Sequence, residues 1–347
     1  LCLFKRSISS DSGQTERKDI KDRHNCDSRG FCSTMKYGLS ALVCFAIVAI
    51  LVPILRKYAI RFGFVDRPNA RKIHKAPVPL MGGAALYFGV VVTLFMFQGI
   101  TPLSLTICIG GFILVVIGLI DDASKSRGAD FPVWPRVIAY MAVAAIPLLF
   151  DIEIEGLSSP HGMIIFPHWL GIVSSIIWVF ALINMINFID GVDGLASGVS
   201  TLSSLTLFIA ALFKQQYPTA LLAVILVAAC AAFLFYNFYP ARIFMGDAGA
   251  TFLGYALAVT AVDGAFKSAT LVTVAVPFLA LGVPILDTAI VMLRRLLSGK
   301  GLHRADKLHT HHVLMKWGLT QIQTVSFIYL VAALFSLLSL VLLLALS

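Results

Sequence analysis

Five acids, two amides and three imidazoles stand out because each lies in, or at the edge of, a strongly apolar stretch. They form four groups: Asp121-Asp122; Asn184, Asn187, Asp190 and Asp193; Asp247; and His309, His311 and His312. Charge at a membrane boundary is costly to bury and is rarely kept without a use. Adjacent carboxylates repel unless a cation or a donor lies between them. Asp121-Asp122 therefore implies Mg²⁺, a basic side chain or a proton transfer. A spacing of three from Asn184 to Asp193 places four polar side chains along one stripe of a helix. Gly191 and Gly194 then break that helix, and Leu195-Ala-Ser-Gly198 opens the next. Exposed N–H groups at a new helix start would suit an anion. Helix capping would explain Asp193 alone but leaves Asn184, Asn187 and Asp190 unexplained in an apolar span. An EF-hand loop is excluded by the spacing and by the missing terminal Glu.

Asp247 closes Phe244-Met-Gly-Asp247 just before an apolar helix. An Asp there is an ordinary N-cap, but on the same face as two other acid groups it is expected to ligate Mg²⁺, with Asp122 as a second contact. His309-x-His311-His312 follows Arg304, Asp306 and Lys307. Clustered histidines invite zinc, yet no Cys or HExxH accompanies them, and basic neighbours suit a phosphate better. A first basic loop carries Arg67-Pro-Asn-Ala-Arg71-Lys-Ile-His74, then Pro77-x-Pro79-x-x-Gly82-Gly83. Asp287 lies two turns before Arg294 and reads equally as an ion pair or a functional acid. No GxxxxGK[ST] is present, so ATP does not enter by that route.

The elements that must position these groups follow from composition. The 347 residues are 59% hydrophobic and 13% charged, against roughly 25% charged in a soluble domain. The fold class is an all-α polytopic integral membrane protein. A span needs about 20 apolar residues, and ten stretches qualify, near 38–55, 80–97, 104–120, 134–150, 170–187, 196–213, 218–237, 249–263, 269–293 and 323–346. Connections are short and no period repeats, so one bundle of about ten helices is expected. The loops 56–79, 121–136, 239–248 and 294–322 hold seventeen Lys and Arg, and the opposite loops hold only Lys214 and Lys267. The richer side is expected to be cytoplasmic, and it carries every group named above.

Residues 1–34 are polar, with seven Lys/Arg and five Asp/Glu, and lack the apolar region of a signal peptide. They are expected to be upstream sequence or a disordered tail, with 35–347 as the single transmembrane domain. Cys2, Cys26 and Cys32 lie in that segment, while Cys44, Cys108 and Cys230 lie singly in spans. No pair has metal-ligand or redox spacing.

Taken together, these motifs resemble the polyprenyl-phosphate N-acetylhexosamine-1-phosphate transferases, glycosyltransferase family 4. The resemblance covers nearly all of 36–347. It rests on Asp66-Arg-Pro-Asn-Ala-Arg-Lys-Ile-His74, Gly82-Gly83, Asp121-Asp122, the Asn/Asp stripe, Phe244-Met-Gly-Asp247 and the histidine box. The chain looks like the branch using UDP-N-acetylglucosamine (the WecA/TagO type). The lipid I branch (the MraY type) usually has a Ser-Gly-Lys-Thr-Pro-like segment where Ala76-Pro-Val-Pro-Leu-Met-Gly82 stands here. Lys307 stands where some relatives have Arg; it keeps the charge and loses the bidentate fork.

The resemblance implies a phosphotransferase that moves N-acetylglucosamine-1-phosphate, or a related N-acetylhexosamine-1-phosphate, from a UDP-sugar to undecaprenyl phosphate, releasing UMP. It implies Mg²⁺, with Mn²⁺ as a substitute, in a multi-pass protein of the bacterial inner membrane with a cytoplasmic site. The partners are the bilayer, the two substrates and a second copy as a homodimer, with no nucleic acid. Asp121 and Asp122 would act on the lipid phosphate, and Asp247 would hold the metal. Asn184, Asn187, Asp190, Asp193 and Gly194 would bind the nucleotide, with Phe244 stacking on uracil. Arg71, His74, Arg304, Lys307, His309, His311 and His312 would bind phosphate. Two other classes share some features: an ion-coupled transporter, which usually places its acids near the midplane, and an intramembrane aspartyl protease, which needs neither the amide stripe nor the histidine box.

Overall fold

The computed structural model describes residues 14–66, 77–128, 132–159, 162–266, 271–297 and 309–346. Two units are distinguished, residues 1–39 and 40–347. In the first, the chain is helical from Gln14 within α1 (Gln14–Arg61). The fold and the site described below belong to the second unit.

The elements run in order as a short antiparallel pair β1 (Val65–Asp66) and β2 (Val78–Pro79), then α2 (Gly82–Gln98), α3 (Pro102–Ser126) and α4 (Val133–Ala144), which a 3₁₀ turn extends to Phe150. A hairpin of β3 (Gly156–Ser159) and β4 (Gly162–Ile165) leads to α5 (His168–Ile189), α6 (Leu195–Phe213), α7 (Tyr217–Asn237) and α8 (Gly246–Ala261). The C-terminal part is α9 (Leu271–Ala280), α10 (Gly282–Leu297), α11 (Thr310–Lys316) and α12 (Gln321–Leu346). Among the described residues seven helices are long and apolar enough to cross a membrane.

Nine of the ten expected spans map onto a helix or a helix with a short extension. Helix α2 has 17 residues and α8 has 16 before a π turn at Val262–Phe266. The exception is the expected span 269–293, which is two helices that part at Leu281. Pro277 and Pro284 flank the break with Gly282 between them, and two missing N–H groups so close together favour interruption. Pro284 falls in the first turn of α10, where no intrahelical donor is required.

Helix α8 is the centre of the bundle. Each of its residues is buried except Asp247, as expected for a helix apolar on all sides. Small residues let its neighbours approach closely. A Cβ at Gly254 would meet Ile183 Cα of α5 at 2.8 Å, and one at Gly111 of α3 would meet the Phe252 ring at 2.9 Å. Gly83 of α2 and Gly118 of α3 lie directly against the Ala248–Gly249 backbone.

The Gly82-Gly83 pair has a positional reason. Gly82 N–H donates to Phe244 O at 3.0 Å and Gly83 N–H to Met245 O at 2.9 Å, while Phe244 N–H donates to Pro79 O at 2.9 Å. The first basic loop thus clamps the segment that carries Phe244 and Asp247. A side chain at Gly82 would strike the Phe233 ring and, at 2.7 Å, the Phe244 carbonyl.

Candidate active site

The paired acids sit in the last turns of α3, one turn before Lys125, and face the start of α8. They do different things. The Asp122 carboxylate is 2% exposed and accepts from Asp247 N–H at 3.0 Å and, more weakly, Ala248 N–H at 3.4 Å. It supplies from another helix the negative charge and acceptors that a helix N-terminus lacks. Gly246, at φ +69, leaves the space that the Asp122 carboxylate fills. Asp122 therefore caps α8, with both oxygens on backbone donors.

Asp121 turns the other way. Its Oδ2 lies 2.8 Å from Arg136 Nη1, on the first turn of α4, and 3.1 Å from Lys125 Nζ. Its Oδ1 is buried without a partner. Asp247 Oδ2 lies 2.6 Å from the same Lys125 Nζ and 3.5 Å from Arg136 Nη1, and Asn187 hydrogen-bonds the Asp247 side chain. One ammonium group thus bridges two carboxylates from different helices. These oxygens can share a cation, and hard carboxylate donors suit Mg²⁺. No group of three or more His, Cys, Asp or Glu is arranged for a metal among the described residues. Mg²⁺ asks for less, because it usually keeps waters and takes one or two carboxylates plus substrate phosphates.

The amide and acid stripe divides as well. Asn184 Nδ2 donates back to Phe180 O at 2.7 Å, which satisfies it within α5. Asn187 reaches Asp247. Asp190 is the C-cap of α5 and half-buried. Burial, then the negative charges of Asp247 and Asp193, push its pKa up to about 8, so it is largely protonated at neutral pH. Asp193 Oδ2 accepts from Ala241 N–H at 2.9 Å, fixing the loop that leads to Phe244. Gly194 adopts φ +78, where a side chain would be strained. Its N–H donates to Asn237 Oδ1 at 3.1 Å and its carbonyl accepts from Tyr329 OH at 2.5 Å. The start of α6 is buried from Leu195 to Ser200. The expected anion site at this helix start is closed by the protein's own side chains.

The histidine box opens α11. His309 Nδ1 lies 2.7 Å from Asp287 Oδ2, and Thr310 N–H donates to Asp287 Oδ1 at 2.7 Å. Asp287 thus pairs with the box from 22 residues earlier in the chain. The His309 and His311 rings stack, with centroids 5.7 Å apart, and His311 and His312 lie 4.3 Å apart. His311 is 2% exposed, and its Nε2 has no partner. That atom would lie 2.8 Å from a Cβ on Gly191, in the turn between Asp190 and Asp193. Burial, then His312 and His309, hold His311 down at about 3. It is a neutral N–H donor and acceptor at physiological pH.

Arg71, His74, Arg304 and Lys307 lie outside the described residues. Phe244 is half-buried and anchored through its backbone. Lys125, Arg136 and Tyr329 were not singled out from sequence, and Asn237 only as a residue preceding the Phe244 motif. Lys125 had a signal, since it follows Asp121 by four on one helix. The other three act across long sequence separations that no local spacing reveals.

The arrangement sets cations and carboxylates facing one another at one end of α3, α4, α5 and α8, in a bundle whose long helices are apolar enough to cross a membrane. Residues 104–265 match the model of glycosyl transferase family 4. A protein of Bacillus subtilis (strain 168), described as "Probable undecaprenyl-phosphate N-acetylglucosaminyl 1-phosphate transferase", is 35% identical over 87% of this chain and 83% of its own length. A decaprenyl-phosphate N-acetylglucosaminephosphotransferase of Mycolicibacterium smegmatis is 31% identical over 80% and 74%. An undecaprenyl-phosphate alpha-N-acetylglucosaminyl 1-phosphate transferase of Salmonella typhi is 29% identical over 85% and 81%. The chain belongs to glycosyl transferase family 4 and is a multi-pass membrane protein.

Proposed function

We propose that the chain transfers N-acetylglucosamine-1-phosphate from UDP-N-acetylglucosamine to a polyprenyl phosphate such as undecaprenyl phosphate, releasing UMP. The observation that carries this reading is the convergence of Asp121, Lys125, Arg136, Asn187 and Asp247 at one end of four helices. The names of the three relatives support the substrate class.

Phosphoryl transfer needs positioning and charge neutralisation more than covalent chemistry from the protein. Lys125 and Arg136 supply two positive charges within 3.5 Å of Asp247, placed to meet the two phosphates as they approach. Asp121 and Asp247 would hold Mg²⁺, which when bound offsets charge on the pyrophosphate and the leaving UMP. Asp122 keeps Asp247 in place by capping α8. The acceptor phosphate monoester has a second pKa of about 6, so it is largely dianionic at neutral pH and needs no base. Direct attack is the simpler route than an aspartyl-phosphate. Asn187 and protonated Asp190 offer hydrogen-bond donors to the nucleotide side. Asp193 acts through the Ala241 loop on Phe244, whose ring is proposed to stack on uracil. Neutral His311 and its neighbours would donate N–H groups to the sugar phosphate.

An almost wholly apolar cavity of about 220 Å³ between the end of α5, α10, α11 and α12 opens beside His311. It suits the first isoprenes of the acceptor. The charge bias of the loops supports a cytoplasmic site in the inner membrane, where UDP-sugars are made available. The midplane acids of a transporter are not what the described residues show. The deciding experiment is UMP release by the detergent-purified protein given UDP-N-acetylglucosamine, Mg²⁺ and undecaprenyl phosphate. UMP that forms only with the lipid, with a lipid-linked sugar diphosphate as co-product, is the expected result. No lipid-dependent UMP would overturn the reading.

A further inference from the structure

Asp287 is the one acidic residue of α10. It is 5% exposed and projects into a cavity whose other walls include Val283, Leu286, Ile290, Phe327 and Val331. A carboxylate in such surroundings is costly unless each oxygen finds a donor. Both do, at 2.7 Å, and both donors belong to the first two residues of the histidine box. A carboxylate only accepts, so the His309 proton faces Asp287 on Nδ1 and Nε2 is left toward the site. The second oxygen fixes the Thr310 backbone and hence the start of α11. His309 in turn stacks at 11° on His311, whose buried Nε2 faces the Gly191 turn. A single side chain on the split half of the ninth span thus sets a register that runs through the box to the Asp190–Asp193 segment.

We propose that Asp287 is a positioning residue for the reaction: through His309 Nδ1 and the Thr310 N–H it fixes the tautomer and orientation of the histidine box for contact with the transferred phosphate. The inference rests on the reading of the box as a phosphate-binding element. Because α10 is also a wall of the apolar cavity, the same contact ties the box to the element that faces the acceptor's lipid chain.

The test compares wild type, Asp287→Asn, Asp287→Ala, His309→Ala and the Asp287→Ala/His309→Ala double variant. Asn keeps the shape of Asp and one acceptor but cannot serve both donors as an anion. Asp287→Asn should lower kcat by about 10- to 100-fold, the range seen when the hydrogen-bond partner that orients a metal-ligating histidine is removed, with KM for UDP-N-acetylglucosamine changed by less than about threefold. The double variant should be no slower than His309→Ala, because the two residues act as one unit. Nitrogen-15 spectra of histidine-labelled enzyme in detergent should show one histidine as the Nδ1–H tautomer, lost in His309→Ala and altered in Asp287→Asn. A merely structural role would alter the spectra and the thermal midpoint but leave kcat of the folded Asp287→Asn variant near wild type. Wild-type kcat in Asp287→Asn, additive losses in the double variant, or full activity of His309→Ala would each overturn the proposal. If Asp287→Ala fails to fold, Asp287→Asn and the spectra decide. The spectra need no turnover, so a wild-type enzyme that releases no UMP would sink the functional reading while the tautomer result still judged the Asp287 contact.

Discussion

The distance between α3 and α8 is set by Gly118, and one methyl group there should disable the site without unfolding the protein. A Cβ on Gly118 would stand 2.9 Å from the Asp247 carbonyl carbon and nearer still to Ala248 N and Cα. Carbon atoms in contact prefer about 3.5–4.0 Å, so the helices must separate by roughly 1 Å. The 3.0 Å bond from Asp247 N–H to Asp122 would then be lost, and Lys125 could no longer sit at 2.6 and 3.1 Å from Asp247 and Asp121 together. A misplacement of 1 Å costs about 100-fold in rate, or about 2.7 kcal/mol of barrier. Overpacking of this kind destabilises by about 1–3 kcal/mol, which leaves a folded enzyme to measure. The assay is the initial rate of UMP release at saturating substrates, with thermal stability in detergent followed in parallel. Gly118→Ala should lose about two orders of magnitude in kcat and elute as a single species. Gly38→Ala, with nothing within 4 Å of the added methyl, is the control and should match wild type. Wild-type kcat and thermal midpoint in Gly118→Ala would refute the claim that this close approach positions the acids.

Asp247→Asn should lower activity by about 10²- to 10³-fold, with partial recovery as Mg²⁺ is raised or Mn²⁺ substituted; the check is a metal titration of initial rates, which Asp122→Asn should leave unchanged in shape. Lys214, at the opposite end of the bundle, has a buried Nζ without a partner, and burial lowers its pKa from 10.5 to about 8. The unfolded chain then binds the extra proton between pH 8 and 10.5, so stability rises with pH across that window. Lys214→Met should melt higher at pH 7 and lose that rise, as a pH series of thermal midpoints would show. Cysteines placed at Arg127 and Lys316 should react with an impermeant maleimide only from the cytoplasm, and one at Gln215 only from outside. The reverse labelling would overturn the orientation read from the loop charges.

Much of the helical frame was legible because burial in a bilayer demands long apolar runs, and these are visible without partners. The break at Leu281 was harder, since residues 269–293 stay apolar throughout and only Pro277, Gly282 and Pro284 mark it. The candidate site was legible as a set of residue types on one side of the membrane. The division of work inside it was not. Asp121 and Asp122 are adjacent and chemically identical, yet a turn of 100° per residue sends one toward Lys125 and Arg136 and the other to the start of α8. The resemblance makes Asp193 and Gly194 nucleotide ligands, and nothing local to them reveals their partners. Asn237 and Tyr329, distant in sequence, take the Gly194 N–H and carbonyl. A local pattern shows that polar groups are needed; only the packing shows which are already satisfied by the protein.

That distinction has a mechanistic consequence. Groups whose bonds are made within the protein, Asp122 and Asn237 among them, mainly hold geometry. Catalysis depends on interactions that grow between ground state and transition state. The candidates are the groups with spare capacity: Asp121 with a buried, unpartnered Oδ1, Lys125 and Arg136 shared between two carboxylates, protonated Asp190, and His311 with an unpartnered Nε2. They belong to two halves, acids and cations on α3, α4 and α8, and amide, acid and imidazole groups on α5 and α11. The Asn187–Asp247 hydrogen bond spans the halves. That contact is where the two sets of groups with spare capacity meet.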